Sequence, residues 1–155
     1  MSDSKNLKSL GSAKTTYKLD KPDKNILETF KNIHPGANYI VPFMQDRDEF
    51  TSLCPKTSQP DFAKMEILYV PNKLLVESKS LKLYFFSFRN SGEFHEDVCN
   101  RIAKDLIAVL KPKYLRVYGD FAPRGGLAIK PIVEYWEKGF NQEIAHLIQA
   151  WDLKK

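Results

Sequence analysis

Apolar residues recur at helical spacing most clearly between residues 95 and 110. Val98, Ile102, Leu106 and Val109 form one stripe, flanked by Cys99, Ala103, Ile107 and Leu110, while Arg101, Lys104 and Asp105 point away. Lys111-Pro112 ends the run, because proline cannot continue a helix. Residues 24–33 predict a short helix with Ile26, Leu27, Phe30 and Ile33 inward, stopped by His34-Pro35-Gly36. Residues 137–151 predict a weaker amphipathic helix with Phe140, Ile144, Leu147 and Ile148 inward. Strands are expected over residues 38–44, 49–53 and 62–70, the last with Ala63, Met65, Ile67 and Tyr69 on one face. Residues 80–88 predict a strongly aromatic strand, with Leu81, Leu83 and Phe85 on one side and Lys82, Tyr84, Phe86 and Phe88 on the other. Two more strands are expected over residues 114–121 and 127–133, joined by Ala122-Pro123-Arg124-Gly125-Gly126. Strands, then a helix, then strands, with few parallel crossover units, read as an α+β domain built on an antiparallel sheet.

Composition narrows the class. At 155 residues the chain predicts a single domain over residues 1–155, long enough to bury a core. It is 43% hydrophobic and 28% charged, as a globular protein is. No apolar run approaches the roughly 20 residues of a membrane span, and the N-terminus lacks an apolar signal core, so the expectation is a cytoplasmic protein without a membrane partner. Residues 1–20, polar and carrying Lys5, Lys8, Lys14 and Lys18, are expected to form a mobile arm. The net charge of +5 fits an anionic cofactor, an RNA or neither, and no RNA-binding signature accompanies it. The two cysteines lie 45 residues apart and form no metal or redox motif, so both are expected as free thiols.

The candidate chemistry centres on Cys54. Pro55 biases it towards the end of a strand, and Lys56 is a cation able to favour a thiolate. Asp61 follows seven residues later, near enough in a loop to fold back as an acid or base. The plainer alternatives are a small buried thiol and an aspartate in a turn. Cys99, inside the apolar stripe, is read as a core thiol. Lys82 is either a snorkelling edge residue or a ligand contact at a pocket mouth. The Gly125-Gly126 pair permits close approach of a ligand or simply makes a hairpin turn. Glu96 and Asp97 suit a helix N-terminus.

The segment Cys54-Pro-Lys-Thr-Ser-Gln-Pro-Asp-Phe-Ala resembles the active-site loop of the NADPH-dependent 7-cyano-7-deazaguanine reductases, the nitrile reductases of queuosine biosynthesis. Glu77-Ser-Lys-Ser-Leu-Lys-Leu-Tyr matches at every position the signature pattern Glu-[Ser/Leu]-Lys-[Ser/Ala]-hydrophobic-Lys-[Leu/Tyr]-aromatic. Phe85-Phe-Ser-Phe-Arg-Asn90, Phe94-His-Glu-Asp97 and Pro123-Arg-Gly-Gly126 are similar as well, in the same order. The resemblance covers roughly residues 38 to 135 and fits the short, single-unit branch. Ser58 stands where the pattern leads one to expect glycine.

The resemblance implies a tunnelling fold (T-fold), an antiparallel sheet with helices on one face, subunits joined edge to edge in a barrel ring, and sites between subunits. It implies a homo-oligomer, a decamer of two stacked pentamers, with no direct nucleic-acid partner. Cys54 would attack the nitrile carbon and Asp61 would protonate the nitrogen. The 7-cyano-7-deazaguanine would meet Val76, Glu77, Ser78, His95 and Glu96. A carboxylate accepts the paired donors of a guanine edge, and Glu96 is the first choice for it, Glu77 the second. His95 would contact the base or orient Asp61. No GxGxxG occurs, so NADPH is expected on Ser78, Lys79, Lys82, Arg124 and Gly125. No metal is expected. The Cys54 loop and the Glu96 helix are separated in sequence, which allows them to come from neighbouring chains.

Three rival readings stand beside this one. An amidinotransferase branch uses a similar cysteine adduct, but the intact Glu77-to-Tyr84 motif argues against it. A pterin- or GTP-processing enzyme of the same fold needs zinc, which His34, His95, His146 and two distant cysteines do not suggest. A non-catalytic RNA-binding module has only the basic charge in its favour.

Overall fold

In the computed structural model, which describes residues 17–19, 21–140 and 144–154, one long strand organises the chain. After a 3-10 turn at Lys24–Ile26 the elements run β1 (Thr29–Lys31), β2 (Val41–Met44), β3 (Phe50–Leu53), β4 (Pro60–Val70), β5 (Leu74–Val76), α1 (Ser78–Phe86), α2 (His95–Leu110), β6 (Tyr114–Phe121), β7 (Ile132–Trp136) and α3 (Ala145–Asp152). Along one side β4 pairs antiparallel with β6, Ala63 opposite Phe121 and Val70 opposite Tyr114. Along its other side β3 and β2 lie end to end, β3 against residues 60–63 and β2 against residues 66–69. β7 pairs with β6 and forms the far rim of this five-stranded antiparallel sheet. β1 and β5 make a separate two-stranded sheet.

Alternation along β4 gives it two working faces. Ala63, Met65, Ile67 and Tyr69 are buried in the main core, with Leu81 and Phe85 of α1 and Val98, Ile102 and Leu106 of α2. Leu68 and Val70 point the other way and, with Tyr114, are covered by Ile144 and Ile148 at α3. The α+β architecture with an antiparallel sheet is as expected. Helices on one face describes α1 and α2 only; α3 lies on the opposite face, because that part of β4 is apolar on both sides.

The expected strand over residues 80–88 is a helix. Its aromatic residues favour strands, and a short run can match a period of two. The buried set is Ser80, Leu81, Tyr84, Phe85, Ser87 and Phe88, which follows helical spacing rather than alternation. Glu77 caps the start, its side chain accepting from the backbone N–H groups of Lys79 at 2.8 Å and Ser80 at 2.7 Å. The expected helix over residues 24–33 is replaced by the 3-10 turn and β1, whose backbone pairs with the unforeseen β5. A single ten-residue helix is marginal without packing, and strand pairing satisfies the same groups. β7 starts at Ile132 rather than Leu127, and α3 at Ala145 rather than Glu137. The expected mobile arm lies outside the described residues except for residues 17–19, where Tyr17 packs edge-on against Phe86 at 5.2 Å. No helix among the described residues is long and apolar enough to cross a membrane.

Candidate active site

The β3–β4 hairpin presents Cys54. Leu53 ends β3, the Cys54 N–H donates to the Gln59 carbonyl at 2.9 Å, and the Ser58 N–H donates to the Cys54 carbonyl at 2.9 Å. Ser58 has φ 56°, a left-handed conformation that glycine adopts freely and serine at a cost. The position where the family pattern leads one to expect glycine is thus one that favours it. Hydrogen bonding from the Thr57 hydroxyl, then from the backbone N–H groups of Lys56 and Thr57, lowers the Cys54 thiol to about 7, with Arg124 a smaller contributor. Lys56 therefore acts through its backbone, where its side-chain charge was the expected agent. Cys99 is the opposite case: it is fully buried, and desolvation raises it to about 12.

Asp61 is the second residue of β4 and is buried. Its Oδ1 receives Nη2 of Arg124 at 2.6 Å and Nε2 of His95 at 3.0 Å. Both partners fall on one oxygen, which leaves Oδ2 for an incoming group. The same Arg124 nitrogen donates to the Gln59 and Pro60 carbonyls at 3.0 and 3.1 Å. The His95 ring stacks on Phe121, with centroids 4.0 Å apart. Ser52 stands opposite Asp61 in the β3–β4 ladder. Its hydroxyl and His95 Nδ1 are buried without a hydrogen-bond partner among the described residues, an arrangement that costs about 1–3 kcal/mol for each group. The structure thus brings Cys54, Asp61, His95 and Arg124 together.

It also brings the start of α2 to the Cys54 strand within one chain. The Leu53 N–H donates to the Ser91 carbonyl at 3.0 Å, and the Glu93 N–H donates to the Leu53 carbonyl at 3.1 Å. The segments that carry Cys54 and Glu96 thus meet within one chain. Glu96 is exposed on the first turn of α2.

Val76, Glu77 and Ser78 lie elsewhere. The Val76 N–H donates to the Tyr69 hydroxyl at 3.3 Å. Tyr69 is eight residues from Asp61 along β4, or about 26 Å. α1 runs back from Glu77 towards the segment that touches Leu53, and its nine residues span about 13 Å. Glu77 is buried as the cap of α1, so the N–H groups at that helix end are already engaged. Ser78 and Lys82 border a cavity of about 210 Å³ with Phe43, Leu81, Phe85 and Phe86. Lys82 and Arg89 also lie over the Phe86 ring, at 5.7 and 4.3 Å. Lys79 and Lys82 stand on the same stretch of helix. Gly125 and Gly126, with φ 57° and 81°, form a two-residue turn in which Arg124 and Leu127 exchange hydrogen bonds at 3.0 Å. That geometry is the type I′ turn, which requires positive φ at both central positions.

The sequence reading missed Thr57 and Phe121. Thr57 is three residues from Cys54, a spacing that suits a hydroxyl reaching back within a hairpin loop. Phe121 reaches His95 only through the fold.

Comparison with known proteins places the chain in a family. A family model described as QueF-like protein matches residues 60–139. An NADPH-dependent 7-cyano-7-deazaguanine reductase of Bacillus cytotoxicus is 52% identical over 141 residues, covering 91% of this chain and 84% of the relative. A protein of the same name from Alkaliphilus metalliredigens is 56% identical over 135 residues, covering 86% and 79%. A solved structure described as an archaeosine synthase QueF-like protein in the apo form superposes with a TM-score of 0.59 at 18% identity, covering 65% of this chain and 97% of the other. That likeness shows the tunnelling fold alone. With close relatives spanning most of its length, and the Cys54 hairpin, Asp61 and the Glu77 motif in the places described, this chain belongs to the QueF-like family.

Proposed function

We propose that this chain reduces the nitrile of 7-cyano-7-deazaguanine to an aminomethyl group with NADPH, a step of queuosine biosynthesis for tRNA. The observation that carries the reading is a thiol lowered to about 7 in a loop whose Arg124 also holds the buried Asp61. A nitrile is a poor hydride acceptor, and a covalent thioimide splits one hard step into easier ones. The Cys54 thiolate adds to the nitrile carbon, one π bond opens onto nitrogen, and Asp61 gives that nitrogen a proton. Two NADPH molecules, bound in turn, would supply one hydride each to take the adduct to the amine. Between the two reductions Cys54 has to leave, and a thiol of low pKa leaves faster. Glu96 accepts the guanine-edge donors, and His95 orients Asp61.

The residues on hand fit the dinucleotide. Lys82 and Ser78 border a cavity whose mainly apolar lining also holds Gln45 and Glu49, Lys79 stands one turn before Lys82 on the same helix, and Arg124 and Gly125 lie at a turn near the surface. Because Glu77 occupies the α1 N–H groups, the phosphates meet side-chain cations rather than the helix end. Within one chain Val76 and Glu77 stand at the far end of β4 from Asp61, beside Tyr69, about 26 Å along the strand. This separation supports a site completed by a second copy. The rims β2 and β7, which have no further strand partner among the described residues, supply edges for a barrel ring. The enzyme is thus a homo-oligomer.

The deciding experiment follows NADPH absorbance with and without the cyano-deazaguanine. Consumption that needs the nitrile, with the aminomethyl product found by mass spectrometry, is expected. Consumption without it, or none with it, overturns the reading.

A further inference from the structure

Arg124 is placed for more than the dinucleotide. Its Nη2 meets three acceptors, Asp61 Oδ1 at 2.6 Å, the Gln59 carbonyl at 3.0 Å and the Pro60 carbonyl at 3.1 Å. These three residues form the base of the Cys54 loop. The backbone that presents Arg124 is constrained on both sides. The Ala122 N–H donates to the Phe62 carbonyl at 2.8 Å, and the type I′ turn at Gly125-Gly126 closes on Arg124 itself. A short, pre-shaped turn therefore docks one guanidinium against the start of β4, where its Nη2 alone serves all three acceptors.

We infer that Arg124 is a positioning residue for the addition of Cys54 to the nitrile: it holds Asp61 and the Cys54 loop together and stabilises the charge left on Asp61 when its proton departs. The inference rests on Cys54 and Asp61 acting as described above. In that step the sulfur–carbon bond forms and one carbon–nitrogen π bond breaks. The proton moves from Asp61 to nitrogen, and Asp61 ends as a carboxylate against Arg124 and His95. No hydride takes part, so Arg124 acts before the cofactor is needed. A residue that only bound phosphate would be silent in this half-reaction.

The test uses the full chain without NADPH. Wild type, Arg124→Ala and Arg124→Lys are each mixed with the nitrile, and the Cys54 adduct is followed over time by mass spectrometry. Nitrile affinity is measured in parallel by calorimetry in the Cys54→Ala background. Arg124→Ala is expected to slow addition by about 10²-fold, the usual scale for losing a preorganised donor to developing charge. Affinity should move by less than about threefold, since a transition-state contact is removed rather than a binding contact. Arg124→Lys keeps the charge but not the fork and should recover part of the rate. The pH midpoint of Cys54 alkylation should also rise in Arg124→Ala. If Arg124→Ala no longer binds nitrile, the lysine variant decides, with slowed addition supporting the role and an unchanged rate refuting it. Wild-type addition rates in both variants, with only the Michaelis constant for NADPH raised, overturn the inference. No adduct in wild type removes the Cys54 reading beneath it as well.

Discussion

The His95 ring lies parallel to the Phe121 ring, the centroids 4.0 Å apart and the planes 8° from coplanar. The stack fixes the ring so that Nε2 meets Asp61 at 3.0 Å. It depends on Gly119, since a Cβ there would lie 2.8 Å from both the Phe121 ring and the Cys99 Sγ. One missing methyl group thus lets α2 pack against β6 and sets the histidine beside the carboxylate.

Gly119→Ala should therefore destabilise the protein by about 1–3 kcal/mol, the cost of overpacking a tight core. Urea unfolding measures this, and adduct formation should slow together with it. Unchanged stability would mean that the ring can shift without strain.

Cys54 should be the thiol that reacts. The nitrile without NADPH should label Cys54 and leave Cys99 unmodified, and Cys54→Ala should lose reduction while keeping nitrile binding. Because its pKa is lowered, the thiolate fraction grows as pH rises through about 7, and alkylation should be half-maximal there. Thr57→Val removes the largest contribution and should move that midpoint upward. A midpoint unaffected by Thr57 would assign the shift to the backbone.

Glu77 should act as a structural cap. Glu77→Ala leaves two N–H groups of α1 without their carboxylate and should cost about 0.5–2 kcal/mol of stability. Thermal and urea denaturation read the loss directly. A variant as stable as wild type but unable to bind nitrile would make Glu77 the purine anchor instead.

Glu96→Gln should do the reverse. The residue is exposed, so stability should hold, while one donor of the guanine edge loses its acceptor at a cost of about 1–3 kcal/mol in nitrile binding. Unchanged affinity by calorimetry would leave Glu96 only its place at the start of α2.

Co-expressing Cys54→Ala chains with Lys79→Ala chains should restore activity that neither has alone. If each site takes Cys54 from one copy and Lys79 from the next, about a quarter of the sites in a random ring are intact. Lack of any recovery in a verified mixed oligomer would put both residues in one chain's site.

The sequence alone determined the elements whose periodicity is long and unambiguous. The helix over 95–110 and the strands over 62–70 and 114–121 could be read because each buries one face at a regular spacing over two turns or more. Cys54, Asp61 and the Glu77 motif were legible because their chemistry sits in contiguous segments. Residues 80–88 were not: their aromatic side chains suit a strand, and only the Glu77 cap and packing against β4 make them a helix. Of the partners of Asp61, His95 was offered by the family resemblance, while Arg124, and the ring that seats His95, were hidden. Arg124 lies 63 residues away and Phe121, which seats His95, lies 26 residues beyond that histidine. The distance between Cys54 and Glu77 also emerged only in three dimensions, from the course of β4 and α1. Local spacing reports which face of an element is apolar, but which faces meet is settled by burial among segments far apart in the chain.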